Sequence, residues 1–301
     1  MPAADLSICI VNWNTRDDLE QALLSLHQPD PGIDLEVVVV DNASHDGSAD
    51  MVRQRFPRAA LIASSTNLGF ARGYNLAVSR TRGRHLLILN PDTVVHPGAL
   101  EAITAFLDSR PEAAAVGPRL LNRDGSIQPS CRRFPNTWAA IFRNTLLGRV
   151  FSGNRFVRAY LMADFDHLSI REVDWISGAA MAIRREAWEQ VGGFDEGFFM
   201  YAEDMDWCLR AHQAGWRIYY LPGAVITHRI GASSDQRPLA MVAQFHRSMA
   251  RFYRKHYARR WPWGLRSLPV LGIWARAALV MIPILWSLLL GRMRRSLGGR
   301  P

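Results

Sequence analysis

Short apolar runs punctuate the first ninety positions at regular intervals: Leu6 to Val11 (LSICIV), Leu35 to Val40 (LEVVVV), Leu61 to Ala63 and His85 to Leu89 (HLLIL). The second is β-branched with no polar alternation after its first residues, the pattern of a strand buried on both faces of a parallel sheet. Helical patterns lie between the runs. One follows Thr15 with Asp17 and Asp18 in its first turn, one spans about Ser48 to Phe56, and one spans Leu68 to Ser79 after a Gly-bearing loop. A fourth opens at Pro97-Gly98, where proline suits the first helical turn. Strands and helices alternating at this spacing predict an α/β fold with a doubly wound, mainly parallel sheet, whose ligand sits outside the carboxyl ends of the strands. Asn14, Asp41 and Asp92, polar residues after three apolar runs, then fall on one edge. A strand-end Asp is often only a turn former, but three such ends on one crevice argue for a site.

The pattern loosens from about Arg119 to Asp166, where Asp124-Gly125 signals a hairpin and Asn136 to Met162 reads as a helical excursion. Val173 to Arg184 (VDWISGAAMAIR) is strand-like but interrupted by Gly178, which suggests close approach of a ligand or another backbone. A short helix then leads to Gly192-Gly193-Phe194-Asp195. The stretch Phe198 to Trp216 (FFMYAEDMDWCLRAHQAGW) puts Glu203, Asp204 and Asp206 at a helix start. Carboxylates there complement the helix dipole. They also suit a general base at the rim of an apolar pocket, where desolvation and like charge raise a pKa. Arg217 to Leu221 and Ala224 to Thr227 are expected strands, with His228 just beyond.

Leu239 to Tyr257 reads as a docking helix with Val242, Phe245, Met249, Phe252 and His256 on its apolar face. Leu268 to Gly291 is strongly apolar yet interrupted by Gly272, Arg276 and Pro283. Its uncharged run, Ala277 to Leu290, falls short of the roughly 18 to 20 residues of a single span. With Arg266 before it and Arg292, Arg294 and Arg295 after it, the segment predicts an interfacial or shallow re-entrant anchor. A tilted span with Arg276 snorkelling is the alternative.

Charge changes the picture once it is divided. The net +9 comes from 36 basic and 27 acidic residues, but no Asp or Glu follows Asp235. The last 66 residues carry 13 Lys plus Arg, leaving 23 basic against 27 acidic in the first 235. A mildly acidic body with a basic, apolar tail fits an anionic membrane surface rather than nucleic acid. Three widely spaced cysteines, Cys9, Cys131 and Cys208, lack a pairing or metal pattern and suit a reducing compartment. The start, MPAADLSICIVNW, has neither the basic lead nor the long apolar run of a secretory signal, so none is expected. A cytoplasmic protein associated with the inner face of the cell membrane through residues 239–295 is therefore expected. The domains expected are 1–235, with a nucleotide half to about 118 and an acceptor half from about 119, and a helical tail over 236–301.

If one crevice is to perform sugar transfer, it must hold a nucleoside diphosphate, neutralise its departure and deprotonate an acceptor hydroxyl. Asp41 can hydrogen-bond a base or ribose, and Asn14 can border the base. Asn67-Leu68-Gly69-Phe70-Ala71-Arg72 offers a Gly-permitted turn into a helix N-terminus, an anion seat with Arg72 as phosphate partner. It is not the GxGxxG fingerprint of a dinucleotide site. Asp92, beside Asn90, can ligate Mg²⁺ or Mn²⁺, with His228 completing the shell. Asp204 would take the acceptor proton during in-line attack on the anomeric carbon, giving inversion, and Trp175, Gly178, Phe199 and Tyr201 are the expected sugar-pocket residues.

NWNT at the first strand end, VVVVDNAS, NLGFARGYN, LILNPDT, GGFDEGFFMYAEDMDWCLR and the late HRIG resemble family 2 inverting glycosyltransferases, above all bacterial rhamnosyltransferases and related galactofuranosyltransferases. The resemblance covers about residues 5 to 235. It implies a GT-A fold, a dTDP- or UDP-linked sugar donor and a divalent metal. By motif position it implies Asp41 at the nucleoside, Asp92 and His228 at the metal, and Asp204 as base with Glu203 beside it. Rhamnose from dTDP-rhamnose is the expected donor, with galactofuranose or another hexose as the alternative. The family's Asp-x-Asp is here Asn90-Pro91-Asp92, so its first carboxylate is neutral. The Gln-x-x-Arg-Trp motif of processive synthases is absent, so addition of one or a few sugars to a lipid-linked or cell-surface glycan is expected. A sugar nucleotidyltransferase would carry a Gly-rich basic loop where Asn12-Trp13-Asn14-Thr15 stands. A non-catalytic, membrane-attached nucleotide-sugar binding module would bind donor without turnover. No sequence feature sets an oligomeric state.

Overall fold

The apolar runs become strands of one sheet. The computed structural model describes residues 4–26, 32–135, 155–229 and 238–297, with side chains of the last helix described to residue 286. The chain divides into two compact units: Met1–Gly197 with Glu203–Ser233, and Phe198–Ala202 with Ser234–Pro301.

The first unit opens with β1 (Leu6–Asn12), α1 (Arg16–Ser25), β2 (Leu35–Asp41), α2 (Ser48–Arg55) and β3 (Ala60–Ala63). It continues with α3 (Phe70–Val78), β4 (His85–Leu89), β5 (Thr93–Val95), α4 (Ala99–Ser109) and β6 (Ala113–Leu121). Next come β7 (Ile127–Gln128), β8 (Cys131–Arg132), α5 (Arg155–Tyr160), β9 (Arg171–Val173) and β10 (Trp175–Ile176). It ends with β11 (Ala180–Arg184), α6 (Arg185–Val191), α7 (Glu203–Gln213) and β12 (Arg217–His228). Ten strands form one sheet in the order β3-β2-β1-β4-β11-β6-β12-β5, with β7 beside β6 and β9 beside β12; β8 pairs with β10 apart from it. β3, β2, β1 and β4 are parallel neighbours, as are β6 and β12, while β11 lies antiparallel between β4 and β6. Because β11 runs against its neighbours it starts where they end: Ala180 pairs with Leu89, the last residue of β4.

Period-two alternation splits the strands between two cores. Ile8, Ile10, Val37, Val39, Leu87 and Leu89 pack with Leu19 and Leu23 of α1 and Leu100, Ile103 and Leu107 of α4. Cys9, Val38, Val40, Leu86 and Ile88 pack with Tyr74 and Ala77 of α3 and Trp207 and Cys208 of α7. A Cβ at Gly73 would lie 2.9 Å from Val11 Cγ1, so glycine lets α3 approach β1 this closely.

One sequence expectation changes here. The strands expected at 217–221 and 224–227 are one strand, β12, whose pairing with β6 shifts register between Leu221 and Val225. Pro222 lacks the N–H a ladder needs, and a bulge absorbs it. The Asp124-Gly125 signal is a true turn: Gly125 has φ +81° and β6 pairs antiparallel with β7 beyond it. Of the expected helical excursion, 136–154 lies outside the described residues, and α5 occupies part of the rest.

The second unit holds α8 (Pro238–His256) and α9 (Leu268–Leu297). The buried positions of α8 are Gln244, His246, Ser248, Ala250 and Phe252, a more polar set than the expected face, on which only Phe252 is buried. The reason is a backbone acceptor: Ser248 Oγ donates to Met200 O at 2.7 Å and Gln244 Nε2 donates to Ser248 Oγ at 3.1 Å. Phe198 is buried with Arg251 over its ring at 5.2 Å. α9 is continuous through Gly272 and Pro283, where interruption was expected; a helical proline forfeits one backbone bond without ending the helix. Arg276 turns to α8, its Nη1 lying 3.3 Å from His246 Nε2. Leu271, Leu279, Ile282 and Trp286 are 61%, 67%, 58% and 65% exposed. Trp263–Trp286 contains one helix long and apolar enough, by length and composition, to cross a membrane.

Candidate active site

Three groups of polar side chains gather along the carboxyl edge of the first unit's sheet. At the end of β1 and β2, Asp41 is 3% exposed. Its Oδ1 accepts from Asn12 Nδ2 at 3.1 Å and its Oδ2 from the Ser44 N–H at 3.0 Å. Asn14, in left-handed backbone (φ 52°), accepts the His45 N–H on Oδ1 at 2.8 Å and donates its own N–H to Ser44 Oγ at 3.0 Å. Asn42 clamps the next loop, accepting the Leu68 N–H at 3.3 Å and donating to Gly69 O at 3.0 Å. Asn67 Oδ1 takes the Gly69 N–H at 2.9 Å. Two N–H groups of the expected anion seat are thus engaged by side chains, and Arg72, exposed, pairs with Glu196 at 3.4 Å.

The second group follows β4. Asn90 donates its N–H to Ala179 O at 2.9 Å, beside the start of β11. Thr93 of β5 pairs with His228, the last residue of β12, which brings Asp92 to that imidazole. Asp92 Oδ1 and His228 Nε2 are 3.4 Å apart, both side chains nearly buried. Asp92 Oδ1 has no hydrogen-bond partner. Asn90 Nδ2 lies 3.5 Å from the same Nε2, and His228 Nδ1 lies 2.7 Å from Gln128 Oε1. Among the described residues no group of three or more His, Cys, Asp and Glu side chains is placed to hold a metal, so this pair offers two ligand atoms.

The third group starts α7. Asp204 accepts the Gly178 N–H on Oδ2 at 2.9 Å and the Met205 N–H on Oδ1 at 2.7 Å. Burial lifts its pKa, the two backbone donors pull it back, and the balance stays above the ordinary value. Glu203 is 4% exposed with Oε2 unpartnered, and burial, then the charge of Asp204, raises it much further. Asp206, fully buried, is structural: Arg210 Nε reaches its Oδ2 at 2.9 Å and the same guanidinium donates to Val191 O and Gly193 O. A Cβ at Gly178 would meet Phe70 at 3.3 Å and Asp204 Cβ at 3.5 Å.

Backbone joins the last two groups: Asp204 holds Gly178, and the adjoining Ala179 holds Asn90, two residues before Asp92. Trp175 Nε1 donates to Arg133 O at 3.1 Å. Phe199 and Tyr201 belong to the second unit, where Phe199 is exposed and the Tyr201 ring lies 5.7 Å from Phe245. Asn12, Ser44, Asn42 and Gln128 were missed by sequence reasoning. Asn12 ends an apolar run as clearly as Asn14 follows it, so its signal was present. Gln128 becomes meaningful only when β7 is known to flank β6, whose other neighbour ends at His228.

A protein-family model described as "Glycosyltransferase like family 2" matches residues 2–259. The chain is similar to an N-acetylglucosaminyl-diphospho-decaprenol L-rhamnosyltransferase of Mycobacterium tuberculosis, 31% identical over 87% of this chain and 88% of the relative. It is also similar to the rhamnosyltransferase WbbL of Escherichia coli K12, 28% identical over 53% of this chain and 60% of that one. Among solved structures, the mannosyltransferase PcManGT of Pyrobaculum calidifontis, in complex with GDP-Man and Mn²⁺, superposes with a TM-score of 0.55 at 19% identity, over 98% of this chain and 81% of that one.

Proposed function

The chain belongs to glycosyltransferase family 2 and has its GT-A fold, and from that premise we propose that it transfers rhamnose from dTDP-rhamnose to a lipid-linked glycan acceptor with inversion. The observation that carries this reading is the joining of two chemically distinct groups, Asp204 and the Asp92–His228 pair, through Gly178, Ala179 and Asn90. Rhamnose and a lipid-linked acceptor are supported by the mycobacterial relative, whose name carries both.

Asp41 and Asn14, held by the Asn12–Ser44 network, border the nucleoside, and the loop from Asn67 through Gly69 to Arg72 lies along the diphosphate, with Arg72 leaving Glu196 to meet it. Asn90 and Asp92 face the diphosphate from β4, and Trp175 and Gly178 line the sugar. Asp92 Oδ1, buried with no donor and facing an imidazole nitrogen, is fitted to a divalent cation; a hard oxygen beside a nitrogen suits Mn²⁺ better than Mg²⁺. When bound, the cation supplies Lewis-acid neutralisation of the departing diphosphate. Asn90 in place of a carboxylate keeps the protein's share of negative charge small there. Asp204, with one lone pair of each oxygen fixed by backbone, keeps another for the acceptor hydroxyl. Its raised proton affinity makes it a stronger base than an exposed aspartate. Glu203, buried behind Asp204, has its pKa raised by burial and by the charge of Asp204, which favours its neutral form. The exposed apolar face of α9 and the basic tail support attachment of the enzyme to the inner membrane surface, within reach of a lipid-linked acceptor.

The test is nucleoside diphosphate release from dTDP-rhamnose, UDP-galactofuranose and other UDP- and GDP-sugars, with membrane lipid extract as acceptor, with Mn²⁺, Mg²⁺ or chelator. Turnover with dTDP-rhamnose alone, dependent on acceptor and cation and lost in Asp204→Asn, is expected. A different donor would correct the sugar, donor binding without turnover would favour a binding module, and absence of donor binding would overturn the reading.

A further inference from the structure

We propose that a hydrogen-bond chain of fixed polarity, running from Asp124 through Ser126, Asn122 and Gln128, sets the tautomer of His228 and turns an unprotonated Nε2 toward Asp92. Gln128 is thereby a positioning residue. The consequence for cation binding rests on the function proposed above; the tautomer does not.

The polarity follows from which atoms can only give or only receive a proton. The Asp124 carboxyl lies below the usual carboxylate range because Ser126 donates to it from both side chain and backbone. An ionised carboxylate only accepts. Ser126 Oγ, 2.6 Å from Asp124 Oδ1, spends its one proton there. Asn122 Nδ2, 2.9 Å from Ser126 Oγ, must then be the donor, which turns Asn122 Oδ1 the other way. Gln128 Nε2 gives its two protons to Asn122 Oδ1 at 2.8 Å and to the His228 carbonyl at 3.2 Å. Oε1 of Gln128 is therefore the atom 2.7 Å from His228 Nδ1, and it can only accept. The neutral ring carries its proton on Nδ1, and Nε2 keeps a lone pair 3.4 Å from Asp92 Oδ1.

The backbone holds this chain in place. The 122–126 turn closes with Asn122 N–H on Ser126 O at 2.8 Å, Gln128 pairs with Leu120 of β6, and Leu121 of β6 pairs with Thr227, next to His228. Gln128 is 8% exposed, so water competes little for its bonds.

The experiment reads His228 by long-range ¹H–¹⁵N correlation in metal-free protein at neutral pH, with His228→Gln to assign the signal, and Mn²⁺ affinity by electron paramagnetic resonance. In the native chain the Nδ1–H form is expected. Gln128→Leu should shift the ring toward Nε2–H and weaken Mn²⁺ binding about 10- to 100-fold, the usual cost of losing a partner behind a metal ligand. Gln128→Glu, which keeps the acceptor, should restore the Nδ1–H form and most of the affinity. Ser126→Ala, exposed and two links from Gln128, gives a folded variant if Gln128→Leu is unstable, and should shift the ring partly. An Nε2–H ring in the native chain, or a tautomer unmoved by both Gln128→Leu and Ser126→Ala, would overturn the proposal. An Nδ1–H ring in a native chain that binds no Mn²⁺ would uphold the chain of bonds and overturn the cation reading alone.

Discussion

Adjacent carboxyl groups at the start of α7 show how far environment decides chemistry. Asp204 meets two backbone donors, Glu203 Oε2 meets none, and Asp206 meets a guanidinium. Asp204→Asn keeps the shape but removes the base, so kcat should fall about 10²- to 10⁴-fold with donor KM little changed, read by steady-state kinetics. For Glu203 the expected readout is stability. Its folded pKa is raised from an ordinary 4.5, so the stability it contributes is fully present below that value and is withdrawn as pH rises through the folded pKa. Glu203→Gln cannot ionise, and its melting temperature should gain on the native chain as pH climbs from about 5 to about 8. A constant difference across that range would contradict the buried acid. The sequence displayed the three carboxylates, and the i, i+4 spacing of Asp206 and Arg210 was visible in it. It could not reveal which of Glu203 and Asp204 finds backbone donors, because one of those that reach Asp204 is the N–H of the distant Gly178.

Among the elements, β11 decides the layout of the site. Its apolar run was legible, but an apolar run carries no direction, and only its reversal brings residue 178 to the edge where β4 ends. The β6–β7 hairpin was legible from Asp-Gly for the same reason that Gly125 adopts positive φ; its proximity to His228 was not. Another junction fixes α3 to the loop after α6. Asn75 accepts the Phe194 N–H and donates to Phe194 O, both at 2.9 Å, and a Cβ at Gly193 would come within 2.6 Å of Asn75 Oδ1. Gly193→Ala should therefore cost about 1 to 3 kcal/mol, as overpacking does, measured by denaturant unfolding. A neutral result would mean the loop yields without losing its hydrogen bonds. The register shift in β12 escaped a sequence reading that saw Pro222-Gly223 only as a gap between strands.

Across the whole molecule, charge and hydropathy are segregated: acids end at Asp235, and large apolar side chains of α9 stay exposed. The composition made this plain, whereas the continuity of α9 through Pro283 did not follow from counting uncharged residues. Co-sedimentation with anionic vesicles should be strong, weakened by salt and weakened further by Leu279→Glu with Ile282→Glu. Equal binding by that double variant would assign attachment to charge alone. If α9 does lie in lipid, the reaction becomes two-dimensional. Enzyme and acceptor then meet by lateral diffusion, and the quantity that saturates the enzyme is the mole fraction of acceptor in the film. Adding inert lipid at constant bulk acceptor would slow the reaction by surface dilution, while the soluble donor, arriving from the third dimension, would keep its ordinary concentration dependence.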